Sequence, residues 1–113
     1  MNKLLKEMGK RIYDRRKQLH MTQDALAELA NVTPQTISTA ELGQKAMRPE
    51  TIIGICGALD ISTDYLLRGI ITTADNESLA QKVSDLTPEQ YRHLEDIINS
   101  FISALKENET EGH

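Results

Sequence analysis

Apolar residues recur at helical rather than alternating spacing along most of this chain, and the polar residues between them mark where helices start and stop. Residues 3–19 carry Leu5, Met8, Ile12 and Leu19 at mostly helical spacing with basic residues on the other face, which predicts a first amphipathic helix. A second helix is expected to bury Leu26, Ala27 and Leu29, and a third Ile37 and Ala40. A fourth follows Pro49 and carries Ile52, Ile53, Ile55, Cys56 and Leu59. A fifth begins at Ser62, buries Tyr65 and Leu66, and stops at Gly69. The pattern is that of an all-α bundle of five short helices.

The second and third helices are joined by a tight turn. Thr22 is placed to cap the second helix, with Gln23 in its first turn, and the small Ala27 leaves room for a close helix crossing. Asn31 falls at the turn, where a positive φ is needed and Asn is the best substitute for Gly. Thr33 caps the third helix and Pro34 occupies its first position, followed by the short hydrogen-bonding side chains Gln35, Thr36, Ser38 and Thr39. Taken alone, these features also describe an ordinary helical hairpin with a polar outer face.

The order of the parts narrows the reading. Gln23, Ala27, Asn31 and Ile37 keep the spacing of a helix-turn-helix, and Ile37-Ser38, Glu41, Gly43 and Pro49 follow in register. Here the chain resembles the Cro and lambda-repressor-like (XRE) family of bacterial and phage regulators. Gly9, Ile12 and Arg16 upstream match the family's first helix, and residues 51–69, with the ending Ser62-Thr63-Asp64-Tyr65-Leu66-Leu67, match its closing helices. The resemblance covers roughly residues 5–69.

That resemblance implies a DNA-binding domain over residues 1–69 whose third helix lies in the major groove. Gln35 then presents the acceptor and donor that adenine N6 and N7 require, and Thr36 and Thr39 share its face as further base-reading residues. Gln23 is expected to bind a phosphate with its own backbone N–H, Ser38 is a candidate for the same task, and Gln44, Lys45 and Arg48 are expected to reach phosphates from the following loop. Arg16 is expected to pair with Glu41 and fix the third helix to the first. Two departures stand out. The loop of residues 44–48 is longer than usual in the family, and position 15 holds Arg where an aliphatic residue is frequent, which opens a different packing or an extra phosphate contact.

Charge at first argues against nucleic acid, because the 113-residue chain has a net charge of −4. Its distribution changes the picture: residues 1–20 hold seven bases and two acids, residues 21–69 three and six, and residues 70–113 three and nine. Acidity concentrates in the tail and leaves a basic first helix for phosphates. A hydrophobic content of 39% suits a compact fold, no apolar run is long enough to span a membrane, and no signal-peptide core is present, so the expected location is cytoplasmic. The single Cys56 excludes an internal disulfide framework and reads as a small buried residue. His20, His93 and His113 are scattered, no phosphate loop or nucleophile with its base is visible, and neither a cofactor nor an enzymatic activity is expected.

The tail reads as a separate element: a linker at 70–76, a helical oligomerisation segment at 77–107, and a disordered end at 108–113. Residues 77–86 form a short amphipathic helix with Leu79, Val83 and Leu86 on one side. Thr87, Pro88 and Gln90 then form a capping box for a longer helix, in which Tyr91, Leu94, Ile98, Phe101 and Leu105 follow one another at spacings of 3, 4, 3 and 4. Ile97 and Ile102 widen this stripe, so packing on the chain's own domain stays open beside self-association. Helix-turn-helix proteins bind two half-sites about 34 Å apart, which a dimer satisfies. The expected function is therefore a sequence-specific repressor binding a palindromic operator in double-stranded DNA as a homodimer. An antitoxin-like or partner-held regulator, whose last helix grips a small regulatory protein, is the alternative.

Overall fold

The computed structural model describes residues 2–111, with side chains to 108, and folds them into helices alone. These are α1 (Lys3–Gln18), α2 (Gln23–Ala30), α3 (Pro34–Glu41), α4 (Pro49–Leu59), α5 (Thr63–Arg68), α6 (Thr73–Ser84) and α7 (Pro88–Glu111). The chain divides into two compact units, the first ending at Asn76 and the second starting at Glu77.

Helices α1 to α5 start and stop where local chemistry requires. Thr22, Thr33 and Ser62 each accept a bond from the backbone N–H three residues on, at 3.0, 3.1 and 2.9 Å. Asn31 takes the left-handed conformation that ends α2, with φ 59°. Gly43, at φ 67°, turns the chain away from α3 so close to α1 that an added Cβ would meet the Lys6 backbone at 2.8 Å.

Within the first unit, α1 packs on α3, and α2 packs on both α3 and α4. Ile12, Leu26, Ile37, Ile55, Leu59 and Leu66 form its fully buried centre. Contact between α1 and α3 is close because Gly9 has no side chain: a Cβ there would lie 2.4 Å from the Glu41 carbonyl oxygen.

Leu29, expected in the core, is 63% exposed, and Ile53 of α4 is 67% exposed. Helix α2 buries Leu26, Ala27 and Ala30, a narrower stripe than expected, and the short alanines let α4 approach. On α4 the inward face is Ile55, Cys56 and Leu59, leaving Ile53 on the far side. Tyr65 is only partly covered, whereas Leu66 is fully buried.

Helix α6 begins at Thr73, inside the stretch expected as a linker. The cause is a reciprocal cap: Asp75 donates its backbone N–H to Thr72 Oγ1 at 3.3 Å, and Thr72 donates its own to Asp75 Oδ2 at 2.8 Å. Thr87 and Gln90 form the same kind of box before α7, at 3.0 and 3.2 Å. Helix α7 runs to Glu111, past the expected boundary at 107, because residues 108–111 contain no proline or glycine to stop it. Of the tail expected at 108–113, residues 112 and 113 lie outside the described residues. No described side chain from 77 to 108 is buried.

Candidate nucleic-acid interface

Helix α3 is short, and its orientation is fixed from behind. Ile37 and Ala40 enter the core, which turns Gln35, Thr36 and Thr39 outward. Gln35 is exposed and its Nε2 lies 3.4 Å from Thr39 Oγ1, one helical turn away. The Thr36 hydroxyl sits 2.9 Å from the Thr33 hydroxyl, so its hydrogen-bonding capacity is partly spent on the cap.

Gln35, Thr36 and Thr39 form one wall of a concavity of about 450 Å³ whose other wall is the loop after α3, with Lys45, Ala46, Met47 and Arg48, together with Thr51 of α4. Met47 packs against the core and pins the loop. Among the described residues neither Lys45 nor Arg48 forms an ion pair, so both charges are available beside the polar row. Ser38 and Gln44 do not line the concavity. Gln44 is exposed, and its backbone N–H closes α3 by donating to the Thr39 carbonyl at 3.2 Å.

Gln23 is drawn elsewhere. Its side-chain amide donates to Glu41 Oε1 at 3.0 Å, in a network centred on Arg16. Arg16 meets Glu41 through two bonds, Nε to Oε2 at 2.6 Å and Nη2 to Oε1 at 3.0 Å, and donates Nη1 to the Met21 carbonyl at 2.9 Å. Both charged side chains are at least nine-tenths buried. The Glu41 carboxylate pushes the Arg16 pKa further up, so the guanidinium stays charged inside the fold. The pair ties α1 to the end of α3 and Gln23 adds the start of α2. In this conformation the Gln23 side chain serves the scaffold.

The basic residues of α1 divide between two tasks: Arg11, Arg15 and Arg16 are drawn into the fold, while Lys3, Lys6, Lys10 and Lys17 stay exposed. Arg15 donates Nε to the Leu59 carbonyl at 2.9 Å and Arg11 donates Nη1 to the Leu66 carbonyl at 2.9 Å. These two guanidiniums satisfy carbonyls at the ends of α4 and α5, where a cation is also favoured by the helix dipole. The unusual Arg15 is therefore a clasp. Lys10 pairs with Asp14 at 2.6 Å, and Lys17 stands over the Tyr13 ring at 5.6 Å. Sequence reasoning missed these clasps because a surface arginine and a capping arginine look alike in a helical pattern. It also missed Met47 and Thr51, which no motif marks.

Cys56 lies in the core with its Sγ 3.8 Å from the Ser62 carbonyl oxygen, and burial pushes its thiol pKa up to about 11. Among the described residues no cluster of His, Cys, Asp and Glu could hold a metal ion, and no helix is long and apolar enough to cross a membrane.

Two short capped helices, with the second presenting polar side chains beside a cationic loop, are the architecture of a helix-turn-helix DNA-binding regulator. Residues 12–66 match the family model described as Helix-turn-helix. The chain belongs to the helix-turn-helix transcriptional regulators of the XRE, or Cro/C1, repressor type. It is 32% identical over 98 residues to the uncharacterized HTH-type transcriptional regulator YqaE of Bacillus subtilis, covering 85% of this chain and 84% of that protein. It is also 39% identical over 62 residues to repressor protein C2 of Salmonella phage P22, a match covering 55% of this chain but 29% of the phage protein.

The crystal structure of the P22 c2 repressor with a synthetic operator matches 56% of this chain and 96% of that one, with a TM-score of 0.54 and 38% identity. A complex of the SinR and SinI proteins matches 85% of this chain and 98% of that one, with a TM-score of 0.53 and 24% identity, a likeness of fold. Family and fold are those of DNA-binding regulators rather than enzymes.

Proposed function

We propose that this protein is a sequence-specific repressor that binds a palindromic operator as a homodimer, with α3 in the major groove. The observation that carries the reading is the concavity between α3 and the following loop, which sets Gln35, Thr36 and Thr39 opposite Lys45 and Arg48. A polar row facing unpaired cations across a groove suits base edges on one side and a phosphate strand on the other. Gln35 pairs with adenine, and Thr36 and Thr39 contact thymine methyls or base acceptors. Lys45, Arg48 and Gln44 hold one stretch of backbone, and Ser38 together with the free backbone N–H at Gln23 holds another.

The operator of the P22 relative supports the DNA side of this reading. The second copy is supported by the second unit, where Tyr91, Ile98, Phe101 and Leu105 are 44 to 63% exposed and Leu94 is half-buried. An apolar seam of this length requires a cover, and a second α7 supplies one. A small regulatory protein bound on the same seam is the competing reading.

Titrating labelled DNA, selected from random sequence, at 50 and 200 mM salt tests the proposal. A repressor making several phosphate contacts loses affinity steeply, by about 100-fold or more over that range. Weak binding at both salts, together with a 1:1 complex with another protein on α7, would favour the competing reading.

A further inference from the structure

Helix α7 exposes more apolar surface than a strict seam needs. With Tyr91, Ile98 and Leu105 at one seam position and Leu94 and Phe101 at the other, Ile97 and Ile102 fall on the two opposite flanks, and both are exposed. One heptad earlier on the same two flanks stand Gln90 and Glu95, also exposed. Gln90 Oε1 accepts the Thr87 backbone N–H at 3.0 Å in the capping box, which leaves its side-chain N–H groups to donate elsewhere. Glu95 Oε1 accepts from Arg92 Nη1 at 3.0 Å, which leaves its second oxygen open.

A second α7 can meet this surface in few ways. In a parallel pair in register, each seam residue faces its own counterpart, and Ile97 of each copy lies against Ile102 of the other. Gln90 then faces Glu95 of the second copy, so an amide N–H meets a carboxylate. Two antiparallel registers each pair four of the five seam residues. One sets Leu105 against Thr87 and brings the two Glu95 carboxylates together, where they repel. The other sets Tyr91 against Asn108 and Glu95 against Ile102, which covers a carboxylate with an apolar side chain. Only the parallel pair gives every seam residue and both flanking isoleucines an apolar partner.

We infer that α7 docks on α7 of a second copy of this chain as a parallel, in-register two-stranded coil, with Ile97 and Ile102 forming an apolar cluster on each side of the seam. The inference rests on the homodimeric reading and adds its direction and register. Both copies then enter the seam from the same end, at Pro88. Glu95 and Gln90 set the direction, because every antiparallel register that covers the seam places a Glu95 carboxylate against its own copy or against isoleucine.

The test uses the full chain with one added cysteine at a time, Leu94→Cys or Asn108→Cys, under mild oxidation. Cys56 is buried, so the wild type serves as the control without a crosslink. Asn108 is polar and at the end of the seam, so replacing it removes no apolar contact. A disulfide needs Cα atoms within about 7 Å of each other, and in the parallel pair both positions face themselves, so both variants should form covalent dimers at about tenfold or more the wild-type yield. In either antiparallel register residue 108 lies about 25 Å or more from its counterpart, and Asn108→Cys stays a single chain on a denaturing gel. Crosslinking at 94 alone, or only between mixed Tyr91→Cys and Asn108→Cys chains, overturns the parallel register and leaves the dimer standing. A wild type that sediments as a dimer while neither variant crosslinks moves the interface off this seam and overturns the inference. A monomeric wild type overturns the homodimeric reading and the inference with it.

Discussion

The first unit and the second are built from the same material, amphipathic helices with clear caps, yet they meet opposite fates. In the first, six side chains reach full burial and every helix from α1 to α5 closes on its neighbours. In the second, α7 is 24 residues long and carries apolar residues at seam spacing, but no described side chain is buried. A helical pattern specifies that a face will be covered. It does not specify by what, and only the first unit contains its own answer.

The first unit is most vulnerable at Arg16. Removing its guanidinium leaves Glu41 buried with only Gln23 as a partner, so Arg16→Ala should cost about 3–5 kcal/mol and lower the melting temperature of the first unit sharply. An unchanged melt combined with unchanged operator affinity would refute the role of this pair. Leu26→Ala belongs to the same class, at about 2–5 kcal/mol by denaturant unfolding, because Leu26 is fully buried.

The second unit should respond in assembly rather than in folding. Ile98→Asp with Phe101→Asp places two carboxylates on the exposed seam, and sedimentation should then find monomers whose first unit melts as in the wild type. A variant still dimeric would move the interface away from α7.

On the reading face the effects are smaller and of two kinds. Gln35→Ala should cost about 1–3 kcal/mol on the selected site and relax preference at a single base pair. Arg48→Ala should instead weaken all sequences alike and reduce the salt dependence by about one phosphate contact, measured as the slope of log affinity against log salt.

The sharpest contrast within the first unit carries the smallest effect. Leu29→Ala should change stability by no more than about 0.5 kcal/mol, three residues from the costly Leu26, because Leu29 is 63% exposed.

Much of the first unit is legible in the amino-acid sequence alone. Caps and turns are written locally, so Thr22, Asn31, Thr33, Ser62 and Gly69 mark their helix ends within a residue. What stays hidden depends on long-range geometry. Whether an alanine or a leucine faces the core of α2 is decided by how closely α4 approaches, which periodicity does not encode. Arg11 and Arg15 add to net charge in the sequence, yet in space they satisfy carbonyls 55 and 44 positions away. The start of α6 is hidden for a simpler reason. The threonine-to-aspartate cap at 72–75 stands in a stretch whose polar residues also read as a linker. On the site itself, the row at 35, 36 and 39 is readable from its cap, whereas the loop wall depends on Met47 being anchored in the core, a contact no local pattern encodes.

Selection of bound sequences from random double-stranded DNA with the wild-type 113-residue chain decides whether it acts as a dimeric, operator-reading repressor. Such a repressor should enrich an inverted repeat whose half-site centres lie about one helical turn, roughly 10 to 10.5 base pairs, apart, with an adenine at the position Gln35 reads. Recovery of no enriched sequence, or of unpaired half-sites alone, would contradict it.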